Sequence, residues 1–466
     1  MAKYDVAIIG GGPGGYVAAI RAAQLGLKAV LIERERVGGL CLNWGCIPSK
    51  ALLWSAELVR LFRQSEEFGI TCDALRVDLG KAIDRSRRVV DRVVKGVEFL
   101  LRKNKVEVIA GTGRLKGRRE VVVEPGGGVL EAEYIVIATG GVTRTLPGIE
   151  IDGHTVITSR EALELREIPS SIAIVGGGPI GVEFAYLYRA YGAQVTIIEM
   201  LDHLLPLEDE DVSRELERAF KQQGIGCLTR AEVKGVRVAR GKAGLAVTVE
   251  GREQEVGAER VLIAIGIAAN SSGLGLEELG VELDGGFVKV DGAMRTSVPN
   301  IYAIGDVTGK LPLAHVASAQ GVIAVEHIAG LKPPEPDYER MPRCTYCQPQ
   351  VASCGLTEAQ AGERGHQVRV GRFPFRANGK AAAVGAGEGF VKLVIDAEQG
   401  QMLGCHLIGP EATELIAEAA FGLTIGSSVG ELGWTVHAHP TLSEALKEAA
   451  LAAQGQAIHF WSEPSS

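Results

Sequence analysis

Between residues 37 and 50 the chain reads VGGLCLNWGCIPSK, which leaves four residues between Cys41 and Cys46. Two thiols this close, flanked by glycines and followed by a helix start, can close into a small-ring disulfide and open again. Such a pair stores two electrons. The alternatives are a permanent staple or two buried thiols. Pro48 suits the first turn of a helix, so Cys46 falls where unpaired N–H groups and the helix dipole favour a thiolate. Lys50, four residues on, shares that helix face and adds positive charge. Both features lower the pKa expected of the Cys46 thiol. Exchange at a disulfide also needs a base, and His439, within HAHPTLSE, is the candidate because an imidazole titrates near neutral pH. Glu444, five residues later, either orients that ring or closes a capping box with Thr441. His437 offers the same chemistry but has no partner visible in the sequence.

These groups need elements to hold them. Residues 4–33 read as an apolar strand (Val6 to Ile9) running into Gly10, Gly12 and Gly15, then an Ala-rich helix and a second strand ending in Glu33. This is a βαβ unit with the dinucleotide fingerprint. Gly10 permits the tight turn, Gly12 admits a pyrophosphate to the backbone, Gly15 lets helix and strand close up, and the helix N-terminus faces the phosphates. Glu33 stands where a carboxylate accepts from ribose hydroxyls. The unit recurs: Gly176, Gly178, Gly181 and Glu199 each fall 166 residues after Gly10, Gly12, Gly15 and Glu33 (176 − 10 = 166; 199 − 33 = 166). Such a repeat argues for two dinucleotide sites. Glu199 repels a 2′-phosphate and Met200-Leu201-Asp202 brings no Arg, which favours NAD over NADP. The alternative for Glu199 is a solvated strand end.

Length and composition agree with this picture. A chain of 466 residues has room for about three domains. Its 61 glycines are nearly double the usual ~7% and cluster after apolar runs, as strand-to-helix turns require. A net charge of −8 argues against sequence-independent nucleic-acid binding. A strand pattern from Tyr4 leaves no room for a signal peptide, and no run of 18 apolar residues suggests a membrane span. Eight cysteines without a secretion signal imply a reducing, cytoplasmic compartment in which most thiols are free and buried.

Further along, residues 81–104 read as a charged helix and 106–140 as short strands ending in YIVIATG. Residues 200–270 mirror them and end in VLIAIG at Gly266. TSVPNIYAIGD then sets Asp306 at the carboxyl end of a strand, where it can hold a polyol such as the ribitol of a flavin, or act as a helix N-cap. A helix follows over about residues 315–329, and a Pro-rich linker ends at Pro336. Beyond about Pro342, strands near 368–373, 390–396 and 402–408 and helices near 413–423 and 443–453 form an α+β unit without a nucleotide fingerprint. The expected architecture is α/β: two Rossmann-like dinucleotide-binding domains plus a C-terminal α+β dimerisation domain. The expected boundaries are 1–145 for the first, 146–270 for the second, 271–341 completing the first, and 342–466 for the interface.

The chain resembles the dihydrolipoyl dehydrogenases, of the disulfide-reductase flavoprotein family that also holds glutathione and mercuric reductases. GGGPGG, CLNWGCIPSK, IVIATG, GGGPIGVE, NIYAIGD, LAHVASAQG, VASCGLTE and HAHPTLSE carry the resemblance over nearly the whole chain. It implies FAD in the first fingerprint, with Glu33 on the adenosine ribose and Asp306 near the ribitol. Gly113, Thr139, Gly140 and Ala314 match further FAD positions. It implies NAD in the second, with Glu199 on the ribose and Glu183 and Gly266 alongside. Cys46 is then the thiol facing the flavin and Cys41 the one that meets substrate, while Lys50 stands by the flavin and pairs with Glu183. His439 and Glu444 act on the disulfide of the other subunit of an obligate homodimer, with a cis bond before Pro440. No metal is implied. The implied reaction oxidises dihydrolipoamide on the swinging arm of a 2-oxo acid dehydrogenase acyltransferase and reduces NAD+. The implied partners are that acyltransferase's lipoyl domain and peripheral-subunit-binding domain.

Several positions depart from the family pattern. Leu40 replaces Thr and Trp44 replaces Val around the cysteines. Ile267 and Ala269 stand where G-R-x-P-N has Arg and Pro, which puts the contacts of Asn270 in question. Cys347 replaces Thr or Ser, creating Cys344-x-x-Cys347, and Gly379-Lys380 replaces Ser-Arg. Two rival functions follow from the same residues: a related NAD(P)H-dependent reductase of a disulfide or metal ion, and a partner that only docks on a multienzyme core. Glu199 opposes NADPH, and a mercuric reductase carries a C-terminal cysteine pair, whereas this chain has no cysteine after Cys405. Intact thiols and base oppose a docking-only role.

Overall fold

The computed structural model describes residues 3–126 and 128–461. Its first strand, Lys3–Ile9, is buried along Val6-Ala7-Ile8-Ile9 because it lies inside a parallel sheet covered on both faces. Parallel neighbours are Ala29–Glu33 on one side and Gly128–Ile137 on the other. Glu107–Ala110 extends the sheet beyond Ala29–Glu33, and an antiparallel meander (Thr112–Gly117, Glu120–Glu124) joins Gly128–Ile137. Ile301–Ala303 also pairs in parallel with Ile135–Ile137, so the chain returns to this sheet after a long excursion.

That excursion is the second unit. Ile225–Leu228, Gln194–Ile198, Ser171–Val175, Arg260–Ile263 and Val156–Ile157 lie side by side in one parallel sheet. A three-stranded meander over 231–258 takes the place that 112–137 has in the first unit. The chain leaves the first sheet along Gly141–Thr143 and comes back along Ile267–Ala269, and these two segments pair antiparallel with each other. The contacts of Asn270, in question because of Ile267 and Ala269, are formed here. Thr139 Oγ1 donates to Asn270 O (2.7 Å), Asn270 Nδ2 donates to Thr139 O (3.0 Å), and Asn270 N–H donates to Gly140 O (3.0 Å).

The last unit is a five-stranded antiparallel sheet: Arg343–Thr345, Gln350–Gly355, Met402–Gly409, Phe390–Asp396 and Val368–Pro374. Its inner face (Ala352, Phe373, Leu393, Leu407) packs on Ile416 and Ala419 of the helix Ala412–Ile425 and on Leu446 and Ala449 of Glu444–Ala453. The first two strands escape a propensity reading because Gln, Pro349 and Gly355 interrupt the alternation. Buried charge fastens this sheet to the second unit. Lys392 Nζ lies 2.8 Å from Asp209 and Asp211 and 2.7 Å from Glu358, with its own side chain and that of Asp209 each 3% exposed. Arg343 pairs with Glu208 at 3.0 Å.

Candidate active site

Asn43 fixes the cysteine loop. Its Nδ2 donates to the carbonyls of Val37 (3.2 Å) and Gly39 (3.0 Å), folding 37–43 onto itself. Gly38 N–H donates to Gly11 O at 2.8 Å, which seats the loop on the first glycine turn. Cys41 lies in the short helix Gly39–Trp44, and Cys46 opens the helix Cys46–Arg63. The two form a disulfide with Cα atoms 4.8 Å apart. Trp44, between them in the chain, has the Arg87 guanidinium 5.0 Å and the Arg160 guanidinium 4.3 Å from its ring centroid. Leu40 is exposed.

The two glycine turns share one geometry. Gly10 and Gly176 have φ of 107° and 110°, in the region only glycine enters freely. A Cβ at Gly15 would collide with Gly10 O, and one at Gly181 with Gly176 O. By contrast, a Cβ at Gly12 or Gly178 would meet nothing within 4 Å. This open space lies at the N-termini of the helices Pro13–Gln24 and Pro179–Tyr191. Each turn therefore offers a cradle of the shape and polarity that suits a pyrophosphate.

The acids repeat too. Glu33 Oε2 accepts from Gly11 N–H (2.6 Å) and Oε1 from Glu35 N–H (2.8 Å). Glu199 Oε2 accepts from Gly177 N–H (2.6 Å) and Oε1 from Leu201 N–H (2.8 Å). Glu199 is buried, which removes the solvated-end alternative. Arg230 gives its N–H to Leu201 O, but its guanidinium pairs with Glu250 at 3.9 Å.

Asp306 sits inside the short turn Gly305–Thr308, whose N-cap is Ile304, and the helix Ala314–Ile328 is flanked by Leu313. The N-cap alternative for Asp306 is thus ruled out. Burial pushes its carboxyl up, as expected of an acid with no partner among the described residues. Its chemistry fits a polyol. Gly113 is buried against Ile9 and Ile32, and Gly140 and Gly266 have φ of 72° and 97°.

All three units meet at Lys50. Its Nζ lies 2.9 Å from each oxygen of Glu183, whose side chain is 9% exposed. Tyr346, from the last unit, gives its N–H to Glu183 Oε1 (3.0 Å) and sets its ring 4.5 Å from the ammonium. Tyr346 is missed from sequence, since a tyrosine between two cysteines carries no signal by itself. Cys344 and Cys347 stand as free thiols; burial pushes Cys344 up to about 11 and Cys347 higher still. Among the described residues no group of three or more His, Cys, Asp or Glu is placed to hold a metal ion.

His439 and Glu444 do come together: Nδ1 lies 2.9 Å from Glu444 Oε1. Glu444 Oε2 accepts from Thr441 N–H at 2.8 Å, so it binds the ring and the turn at once. It does so as the first helical residue after Ser443, not as the third residue of a capping box. Burial raises the Glu444 carboxyl, but the Thr441 N–H and the imidazoles of His439 and His437 outweigh it and hold the group below the usual range. The bond before Pro440 is cis. The His439 side chain is 77% exposed. The expectation that His437 has no partner is wrong: its Nε2 lies 2.8 Å from Glu418 Oε1, and a partner 19 residues away has no local signature.

The model of the family "Pyridine nucleotide-disulphide oxidoreductase" matches residues 4–321, and that of its dimerisation domain matches 341–450. Proteins named dihydrolipoyl dehydrogenase are similar along their length. The one from Chlorobaculum tepidum is 51% identical, over 96% of this chain and 97% of its own. The one from Bacillus subtilis is 46% identical, over 98% and 99%. Among solved structures, LpdA from Mycobacterium tuberculosis has a TM-score of 0.90 at 30% identity, over 97% of this chain and 99% of that one. The copper(II) complex of the flavoprotein disulfide reductase RclA from Escherichia coli has 0.87 at 28%, with the same coverage.

Proposed function

We infer the reaction from one premise: this chain belongs to the pyridine nucleotide-disulphide oxidoreductase family, among the dihydrolipoyl dehydrogenases. It is an oxidoreductase that uses FAD and NAD(H), and its match to the dimerisation domain supports a homodimer. Dihydrolipoamide is oxidised to lipoamide and NAD+ is reduced. The observation that carries this is the Cys41–Cys46 disulfide docked on the first cradle through Gly38 and Gly11.

The residue roles follow from chemistry. His439 of one protomer takes a proton from a substrate thiol at its free Nε2, while Glu444 holds Nδ1 and stabilises the imidazolium. The substrate thiolate attacks Cys41, the Cys41–Cys46 bond breaks, and Cys46 leaves as a thiolate at a helix N-terminus. The second substrate thiol then displaces Cys41; lipoamide departs and the cysteine pair holds two electrons. Bound FAD supplies the two-electron relay from these thiols to bound NAD+. Lys50, fixed by Glu183 and Tyr346, holds positive charge where electrons pass. Glu33 and Asp306 hold the first dinucleotide at its ribose and polyol, with Gly113, Thr139, Gly140 and Ala314 lining it; Glu199 and Gly266 serve the second.

The substrate thiols come on the lipoyl domain of a 2-oxo acid dehydrogenase acyltransferase, whose peripheral-subunit-binding domain docks the dimer. No described helix is long and apolar enough to cross a membrane, and a pair that must reopen suits the cytoplasm. Anaerobic assay with dihydrolipoamide tests the reading: NADH absorbance rises with NAD+ and stays flat with NADP+. No turnover with NAD+ sinks it.

A further inference from the structure

The loop carrying His439 stands out from the surface. Trp434 and Val436 are 87% and 89% exposed. The exception is His437, whose side chain is only 5% exposed. Its ring is held at both nitrogens: Nε2 is 2.8 Å from Glu418 Oε1, on the helix Ala412–Ile425, and Nδ1 is 3.1 Å from Thr435 O. Both partners are acceptors. A neutral imidazole has one N–H, so it can satisfy one of them and turns a lone pair on the other; an imidazolium donates to both.

We propose that Glu418 and His437 form a second histidine–carboxylate pair whose imidazolium pins the loop, making Glu418 a positioning residue for the base at His439. This deepens the reading of His439 given above and rests on it. The two pairs share the loop and point to different helices: His437 reaches back to Glu418, and His439 reaches forward to Glu444 on Glu444–Ala453.

The charges around His437 set the sign. Glu418 faces it from one helix, Glu444 and Lys447 belong to the other, and His439 shares its loop. The hydrogen bond to Glu418 raises the proton affinity of His437; burial and Lys447 oppose it and lose. A raised affinity means the pin is complete below the ordinary imidazole value and lets go as pH climbs through the raised one. The thiol reaction thus gains an alkaline limb from His437.

The test is Glu418→Gln in the FAD-loaded dimer, with kcat/KM for dihydrolipoamide followed across pH. The alkaline limb moves down by about half a pH unit or more, a roughly threefold loss in the high-pH rate relative to neutral. FAD content and NADH-driven ferricyanide reduction, which bypasses the base, stay put. A loss equal at every pH, or an unmoved profile, overturns the proposal. Histidine-selective NMR on the unaltered protein provides a second arm that needs no change at 418. The resonance missing from His437→Gln titrates above the free imidazole range if the pair is as described; a free-imidazole titration overturns it. His439→Gln separates the two readings, because undiminished dihydrolipoamide turnover there removes the base itself, whatever Glu418 does.

Discussion

At the scale of single residues the roles are separable. Cys41→Ser leaves the loop anchored by Asn43 and the glycine turn untouched, so it abolishes dihydrolipoamide turnover while FAD stays bound; flavin absorbance and the NAD+-coupled assay check both halves. Glu444→Gln keeps an acceptor for His439 but removes the charge that stabilises the imidazolium. Turnover is expected to fall by on the order of a hundredfold, the usual scale of a general base's contribution, with ferricyanide reduction unaffected. The cysteines, His439 and Glu444 are legible in sequence because their partners lie within five residues. Tyr346 and Glu418 are not, since they reach Glu183 and His437 across 163 and 19 residues.

At the scale of elements, the two βαβ turns give a paired prediction. Gly15→Ala and Gly181→Ala drive a methyl into a carbonyl of the same turn, and neither backbone can retreat. Each is expected to destabilise its unit by about 3 kcal/mol or more, seen as a lowered thermal midpoint. Gly12→Ala and Gly178→Ala meet empty space at ordinary φ of −67° and −73°. These proteins fold, but the methyl fills the cradle, so the first lowers FAD occupancy and the second raises KM for NAD+. The turns can be read from sequence because a 166-residue offset repeats glycines and acids together. The strands Arg343–Thr345 and Gln350–Gly355 cannot, because tertiary pairing and not propensity makes them strands.

At the scale of the whole molecule, the three units share an apolar core and are tied across it by buried polar knots. Lys392 is the most deeply buried of these. Lys392→Met leaves Asp209 buried beside Asp211 with only the half-exposed Arg372, 3.9 Å from Asp211, as a cation, and the expected cost is about 3–5 kcal/mol. Burial raises the Asp209 carboxyl, but Lys392, its hydrogen bonds and His406 outweigh this and hold it below the usual range. A lowered value gives stability that is present above the ordinary aspartate range near pH 4 and fades as pH falls through the lowered one. Acid unfolding followed by fluorescence should show that loss in the parent protein. In Lys392→Met it shrinks or reverses, since protonating an uncompensated acid then relieves it. The seam at Gly141–Thr143 and Ile267–Ala269 has another consequence. Thr143 and Ile267 are register partners, so the whole second unit enters and leaves the chain at one point, like a cassette with adjacent ends. Its glycines, its acid and even its N–H-to-carboxylate bonds keep the same spacing from those of the host. The gene reads as a host carrying an altered copy of itself, and a donor module of other nucleotide preference can be spliced at that seam without recutting the host sheet.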